Sequence, residues 1–147
     1  MFSTVVFTNG CFDLLHRGHI EYLKASKELG TKLIVGLNSD ASVQKLKPGR
    51  PINNQDDRKA VLLALRWVDD VIIFDEPTPL QLIHRLKPHI ITKGGDYRPE
   101  QVAGFTLVKR VVIIPFLDGY SSTRIINATQ GYRKQGLGVG ANLGYQR

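Results

Sequence analysis

The sequence predicts an α/β fold: a doubly wound, five-stranded parallel sheet with helices on both faces. Three observations carry this. Short runs rich in valine and isoleucine recur along the chain, and their near-continuous apolar character suits strands buried on both sides. Segments of helical period separate them, with short connections. Glycine- and polar-rich loops follow four of the five runs, where such sheets keep their ligand sites.

Thr4 to Thr8 is the first strand. A helix follows from about Gly18 to Leu29, with Tyr22, Ala25, Ser26 and Leu29 on one face and Glu21, Lys24 and Glu28 on the other. Gly30 stops it. Leu33 to Leu37 is the second strand. Residues 39–55 make a loop holding Lys45, Lys47, Pro48, Gly49 and Pro51, with room for a short helix. Asp56 and Asp57 cap the next helix, whose core face is Val61, Ala64, Leu65 and Val68. Val71 to Phe74 is the third strand. Pro79, in a first turn, opens a helix facing the core with Leu82, Ile83 and Leu86. His89 to Thr92 and Val111 to Pro115 are strands four and five, and a last helix starts near Ser122. Residues 1–130 form one domain. Residues 131–147, rich in glycine and basic, read as a loosely packed tail.

The chain has 147 residues, enough for one core. Its apolar share of 42% and charged share of 22% are those of an ordinary globular protein, and its apolar runs are too short to span a bilayer. Met1-Phe2-Ser3 has no basic region or cleavage site, so a cytoplasmic protein is expected. The single cysteine, Cys11, excludes an internal disulfide and a cysteine zinc cluster. A net charge of +7 needs no function beyond a basic surface. Among functions it favours phosphorylated small molecules over nucleic acid, because there is neither an arginine-rich run nor an aromatic RNA-stacking signature.

His16-Arg17-Gly18-His19 is the most informative stretch. Two imidazoles beside a glycine at a helix start suit an oligophosphate: the helix end offers unpaired N–H groups and partial positive charge. As a metal site the pair lacks a third ligand. Around it, Asn9 to Phe12 and Asp13 end the first strand, Asn38-Ser39-Asp40 the second, and Lys93-Gly94-Gly95-Asp96 the fourth. Asp118 to Arg124 follows the fifth. Each has a plain reading: Gly94 to Asp96 as a tight turn, Lys45 and Lys47 as solvated, Cys11 as packing. Arg58 stands in a first helical turn, where a cation opposes the helix dipole at a cost of about 0.3–1 kcal/mol, and Asp56 and Asp57 offset it.

TNGCFDLLHRGH (residues 8–19) resembles the first signature of the HxGH nucleotidyltransferase superfamily, and DGYSSTRI (118–125) the second. KGGDYRPEQVAG (93–104), with GLNSDAS (36–42) and RPINNQDDR (50–58), most resembles the branch whose domain makes ADP-heptose from D-glycero-β-D-manno-heptose 1-phosphate. The resemblance covers about residues 4–128 and implies a Rossmann-like fold. It implies that a sugar phosphate oxygen attacks the α-phosphorus of ATP in line and that pyrophosphate leaves. The nucleophile is already ionised near neutral pH, so no general base is required; the work is positioning and charge neutralisation.

By resemblance, His16 and His19 hold the triphosphate and the transferring phosphoryl. Ser122, Thr123 and Arg124 hold the β- and γ-phosphates. Lys45 or Lys47 reaches the reacting phosphates, and Arg58 contacts nucleotide. Asn9, Gly10, Cys11, Phe12, Gly18, Gly94 and Asp96 belong to the nucleotide site, and Asp13 and Asn38, with the two lysines, to the acceptor side. Mg²⁺ accompanies ATP, and nothing in the sequence fixes its ligands. A homodimer and a separate upstream sugar kinase are expected. The stretch from Gly104 to Val111 is shorter than in the heptose branch, on the acceptor side. Glycerol 3-phosphate with CTP, or an FMN-type acceptor, are alternatives within the class. A non-catalytic nucleotide- or RNA-binding module is the alternative outside it, against which all three of His16, His19 and Arg124 stand.

Overall fold

Val6 and Phe7 are neighbours in sequence, point to opposite faces of a sheet, and are both fully buried. The strand that carries them must therefore be covered on two sides. This is β1 (Val5–Gly10), the middle of a five-stranded sheet in a computed structural model that describes residues 2–134. β2 (Lys32–Asn38), β3 (Asp70–Phe74), β4 (Ile90–Gly94) and β5 (Arg110–Ile114) complete it in the order β3-β2-β1-β4-β5. Every pairing is parallel; β1 runs in register with β2 from Val5 opposite Lys32 to Gly10 opposite Leu37, and with β4 at Val6 opposite Ile90.

One face buries Val6, Leu33, Val35 and Leu37 under Leu23 of α1 (Arg17–Glu28) and Leu62 of α3 (Gln55–Leu63). The other buries Phe7, Ile34 and Ile91 under Leu82 and Ile83 of α4 (Leu80–Leu86) and under Val102. The two cores together bear out the doubly wound, Rossmann-like expectation. No helix among the described residues is long and apolar enough to cross a membrane.

The short helix allowed for in 39–55 is present as α2 (Asp40–Leu46), capped by Ser39, whose hydroxyl accepts from Ser42 N at 3.2 Å. Several local expectations need correction. The cap of α3 is Asn54, with Oδ1 accepting from Asp57 N at 2.9 Å, rather than the aspartate pair. That earlier start turns the helix. It buries Arg58 and Leu62, leaves Val61 and Ala64 exposed, and ends before Leu65 and Val68, which pack beyond it. Leu23, absent from the expected face of α1, is fully buried, as is Ser26. Pro79 caps α4 from outside, and short 3-10 turns at Pro99–Gln101 and Phe105–Leu107 fill the connection to β5. The last helix, α5 (Ser122–Lys134), continues into residues 131–134, which the sequence assigned to the tail. Residues 135–147 of that tail lie outside the described residues.

Candidate functional site

Strand order reverses between β1 and β4, so the loops leaving their carboxyl ends part and open a crevice. A cavity of about 560 Å³ lies there. Its walls are Asn9 to Asp13 at the end of β1 and just beyond it, His16, Gly18 and His19 at the start of α1, Lys93 and Gly94 ending β4, Pro115 to Thr123 after β5, and Lys47 and Arg50 from the loop after α2. Two helix N-termini, of α1 and α5, reach this one volume, so unpaired N–H groups and positive dipole ends converge on it.

His16 is the N-cap of α1 and His19 lies one turn on. Their rings stack with centroids 3.9 Å apart and planes 29° apart, and Tyr120 stacks on the outer side of His16 at 6.1 Å. His19 Nδ1 accepts from the His16 backbone N–H at 3.3 Å. That leaves the proton of neutral His19 on Nε2, as a donor. Burial first, then the charges of His16 and Lys47, push the His19 pKa down to about 4. Burial also lowers that of His16, whose Nδ1 is buried with no partner among the described residues. Gly18 is required by this stack: a Cβ there would stand 2.9 Å from the His16 ring and 3.1 Å from Tyr120 Cβ.

Beneath the pair, Tyr22 Oη meets Thr8 Oγ1 at 2.6 Å and Thr92 Oγ1 at 3.2 Å, and Ser26 Oγ meets Thr92 Oγ1 at 2.9 Å. These hydroxyls tie β1, β4 and α1 together under the cavity floor. Burial raises the Tyr22 pKa, so the phenol stays protonated. At the β4 edge the Phe116 ring lies across Gly94 and Gly95; a Cβ on either would come within 2.8 Å of it. Lys93 Nζ sits 5.3 Å from the Tyr97 ring centroid.

Two arginines buttress the β1–α1 loop in different ways. Arg58, 2% exposed, donates Nε to Asn53 O at 3.0 Å, Nη1 to Cys11 O at 2.7 Å and Asn38 O at 2.9 Å, and Nη2 to Asp40 Oδ1 at 2.8 Å. Arg50 donates Nε to Asp13 Oδ2 at 2.8 Å. Asp13 Oδ1 also accepts from Ile52 N at 2.9 Å and Asn53 N at 3.1 Å. Burial raises the Asp13 pKa, but these bonds outweigh it and the carboxyl is held below the usual range.

Of the residues singled out from sequence, the cavity brings together Asn9, Gly10, Cys11, Phe12, Asp13, His16, Gly18, His19, Lys47, Gly94, Ser122 and Thr123. Lys45 is exposed and off the wall, so of the two lysines Lys47 is the one at the site. Arg58 and Asn38 are buried beneath the loops, the Asn38 amide donating to Ser42 Oγ. Asp96 is exposed outside the cavity. Arg124 is also outside it, donating Nη1 to Gly119 O at 2.6 Å, while Ser122 Oγ donates to Leu14 O and joins the start of α5 to the β1–α1 loop. Sequence reasoning missed Arg50, Tyr120 and Phe116. For Arg50 the signal was present: it lies three residues past Lys47 in a loop already assigned to phosphates.

No three His, Cys, Asp or Glu side chains among the described residues converge as a metal site. The acids on the wall are Asp13, fully engaged, and Asp118. These residues do not make a cage for a divalent cation.

A family model described as cytidylyltransferase-like matches residues 7–128. The chain is 56% identical over 130 residues to the bifunctional protein HldE of Campylobacter fetus subsp. fetus, covering 88% of this chain and 28% of that protein. With the bifunctional protein HldE of Trichlorobacter lovleyi identity is 58%, over 83% of this chain and 26% of the relative. The chain thus spans about a quarter of the length of the curated relatives it matches. Among solved structures, the lipopolysaccharide core biosynthesis protein from Thermoplasma volcanium GSS1 superposes with a TM-score of 0.69 at 31% identity, over 80% of this chain and all of that one.

Proposed function

We propose, from the premise that this chain belongs to the cytidylyltransferase-like family, that it transfers AMP from ATP to D-glycero-β-D-manno-heptose 1-phosphate, giving ADP-heptose and pyrophosphate. The observation that carries the reading is the convergence of two helix N-termini, the stacked histidine pair and three cations (Lys47, Arg50 and Lys93) on one cavity at the β1/β4 crevice. Such a site is made for several phosphates at once.

In this reading the sugar phosphate oxygen attacks the α-phosphorus of ATP and the bond to the β-phosphate bridging oxygen breaks. The proton inventory is unchanged, so the histidines need accept none. His19 donates from Nε2 as a neutral imidazole, and the N–H groups starting α1 and α5 take phosphate oxygens. Lys47 lines the same cavity as His19 and offsets charge that develops as pyrophosphate leaves. Arg58 acts at one remove, holding the Cys11 and Asn38 carbonyls that shape the wall. Arg124 likewise sets the turn before α5 through Gly119. ATP would bring its own Mg²⁺, for which the described residues offer no acid cluster. A cytoplasmic setting, a homodimer and a kinase that supplies the sugar 1-phosphate belong to the same proposal. The resemblance of residues 93–104 and the similarity to the HldE proteins support the heptose acceptor.

A pyrophosphate-release panel tests it: four nucleoside triphosphates against heptose 1-phosphate, glycerol 3-phosphate, phosphocholine and FMN. Release with ATP and heptose 1-phosphate is expected. Release only with CTP and glycerol 3-phosphate would overturn the acceptor and base while leaving the chemistry.

A further inference from the structure

We propose that Arg50 is the clamp for the acceptor's phosphate monoester and that Asp13 is its positioning residue. The inference deepens the nucleotidyl-transfer reading and rests on it for the identity of the acceptor.

Among the described residues, Arg58 and Arg50 both pack against the β1–α1 loop, and they differ in what they leave free. Arg58 spends Nε, Nη1 and Nη2 on three carbonyls and a carboxylate, and its side chain is wholly buried. Arg50 spends only Nε, on Asp13. Its side chain is 13% exposed and lines the cavity, yet Nη1 and Nη2 make no hydrogen bond among the described residues. Neither nitrogen is a buried orphan, so both are open to solvent and free to donate to an anion that enters.

The anchoring is equally specific. Asp13 binds Arg50 through one oxygen and takes the backbone N–H groups of Ile52 and Asn53 with the same carboxylate, so it fixes both the side chain and the loop that bears it. Held through Nε, a guanidinium keeps its distal Nη1/Nη2 fork, which matches two oxygens of a phosphate. Asp13 offsets part of the Arg50 charge from the Nε side, and the N–H groups of Nη1 and Nη2 stay free for an anion.

The assignment to acceptor rather than ATP follows from where the donors originate. The triphosphate has the starts of α1 and α5 and the histidine pair. Arg50 comes from a different element, the loop after α2. The reaction must hold a phosphate monoester dianion against a triphosphate, and mutual repulsion demands a separate countercharge. A planar fork with a fixed axis also orients the attacking oxygen, which a flexible lysine does not.

The test uses the full chain with Arg50→Gln, Arg50→Lys and Asp13→Asn. Steady-state KM is measured for each substrate, and equilibrium binding of ATP alone and of heptose 1-phosphate alone is measured by calorimetry. Arg50→Gln is expected to weaken the acceptor roughly 10- to 100-fold, the loss of a charge-assisted hydrogen-bond pair, and to leave ATP affinity within about twofold. Arg50→Lys, which keeps the charge and is the safeguard should the glutamine variant not fold, falls between. Asp13→Asn shows the same acceptor-selective rise, smaller in size. A parallel fall in ATP affinity would make Arg50 a nucleotide ligand and overturn the proposal; so would an Arg50→Gln variant that keeps the wild-type KM for the acceptor. An inactive wild type that binds heptose 1-phosphate only when Arg50 is present would overturn the transferase reading and keep the clamp.

Discussion

The imidazoles of His16 and His19 lie face to face, 3.9 Å between centroids, with the backbone N–H of one donating to Nδ1 of the other. Two cations could not share that arrangement, and the fold keeps His19 neutral down to about pH 4. An unfolded histidine takes its proton near pH 6.5. Between those values the unfolded chain binds the extra proton, so stability is full above about pH 6.5 and falls as pH drops toward 4. With His19 only partly enclosed, the loss is on the order of 2 kcal/mol. Urea denaturation across this window should show the slope in the wild type and a shallower one in His19→Asn; equal slopes would place the acid sensitivity elsewhere.

Gly18→Ala separates folding from function. Alanine favours a helix by up to about 1 kcal/mol over glycine, but its Cβ meets the His16 ring at 2.9 Å. Thermal midpoints should stay close to wild type while turnover falls by about tenfold or more, as the ring tilts out of its stack. Normal turnover would mean that the ring position does not matter.

Arg58→Leu should cost about 3 kcal/mol in denaturant unfolding, because it strands the carbonyls of Cys11, Asn38 and Asn53 and unpairs Asp40. Arg58→Lys reaches fewer of these acceptors and should recover only part. A loss under 1 kcal/mol in the leucine variant would show that water takes over the carbonyls.

Tyr22→Phe removes the phenol shared by Thr8 and Thr92. The expected loss is about 1–2 kcal/mol, read from the urea midpoint. Thr92→Val, which removes the partner of both Tyr22 and Ser26, should cost a similar amount. The double variant should cost less than the two losses added, since the groups share one network.

The alternation of apolar runs and helical periods was enough to order the sheet, because strands buried on both faces, such as β1 and β2, carry few polar residues. Convergence of the loops then followed from the parallel arrangement alone. What stayed hidden depended on side-chain direction. A shift of the α3 cap from Asp56 to Asn54 rotates Arg58 inward and Val61 outward, and no periodicity reveals a cap whose hydrogen bond is made by an ordinary asparagine. Its place in the loop put Arg50 near Lys47, but only the carboxylate of Asp13, distant in sequence, fixes its side chain. Lys45 and Lys47 are two residues apart in sequence, but α2 ends between them, and the turn that follows selects the second.

The placement of β1 in the middle of the sheet sets when this protein can first work. Val6 is made well before one of its neighbours, Ile90, which belongs to β4. Until that strand leaves the ribosome, one edge of β1 has no partner, and the histidines face half a cavity. Such distant pairing slows folding and exposes an open edge meanwhile. No nascent fragment that stops short of β4 and β5 has both walls. The proposed phosphate site is therefore complete only once β4 and β5 have joined the sheet.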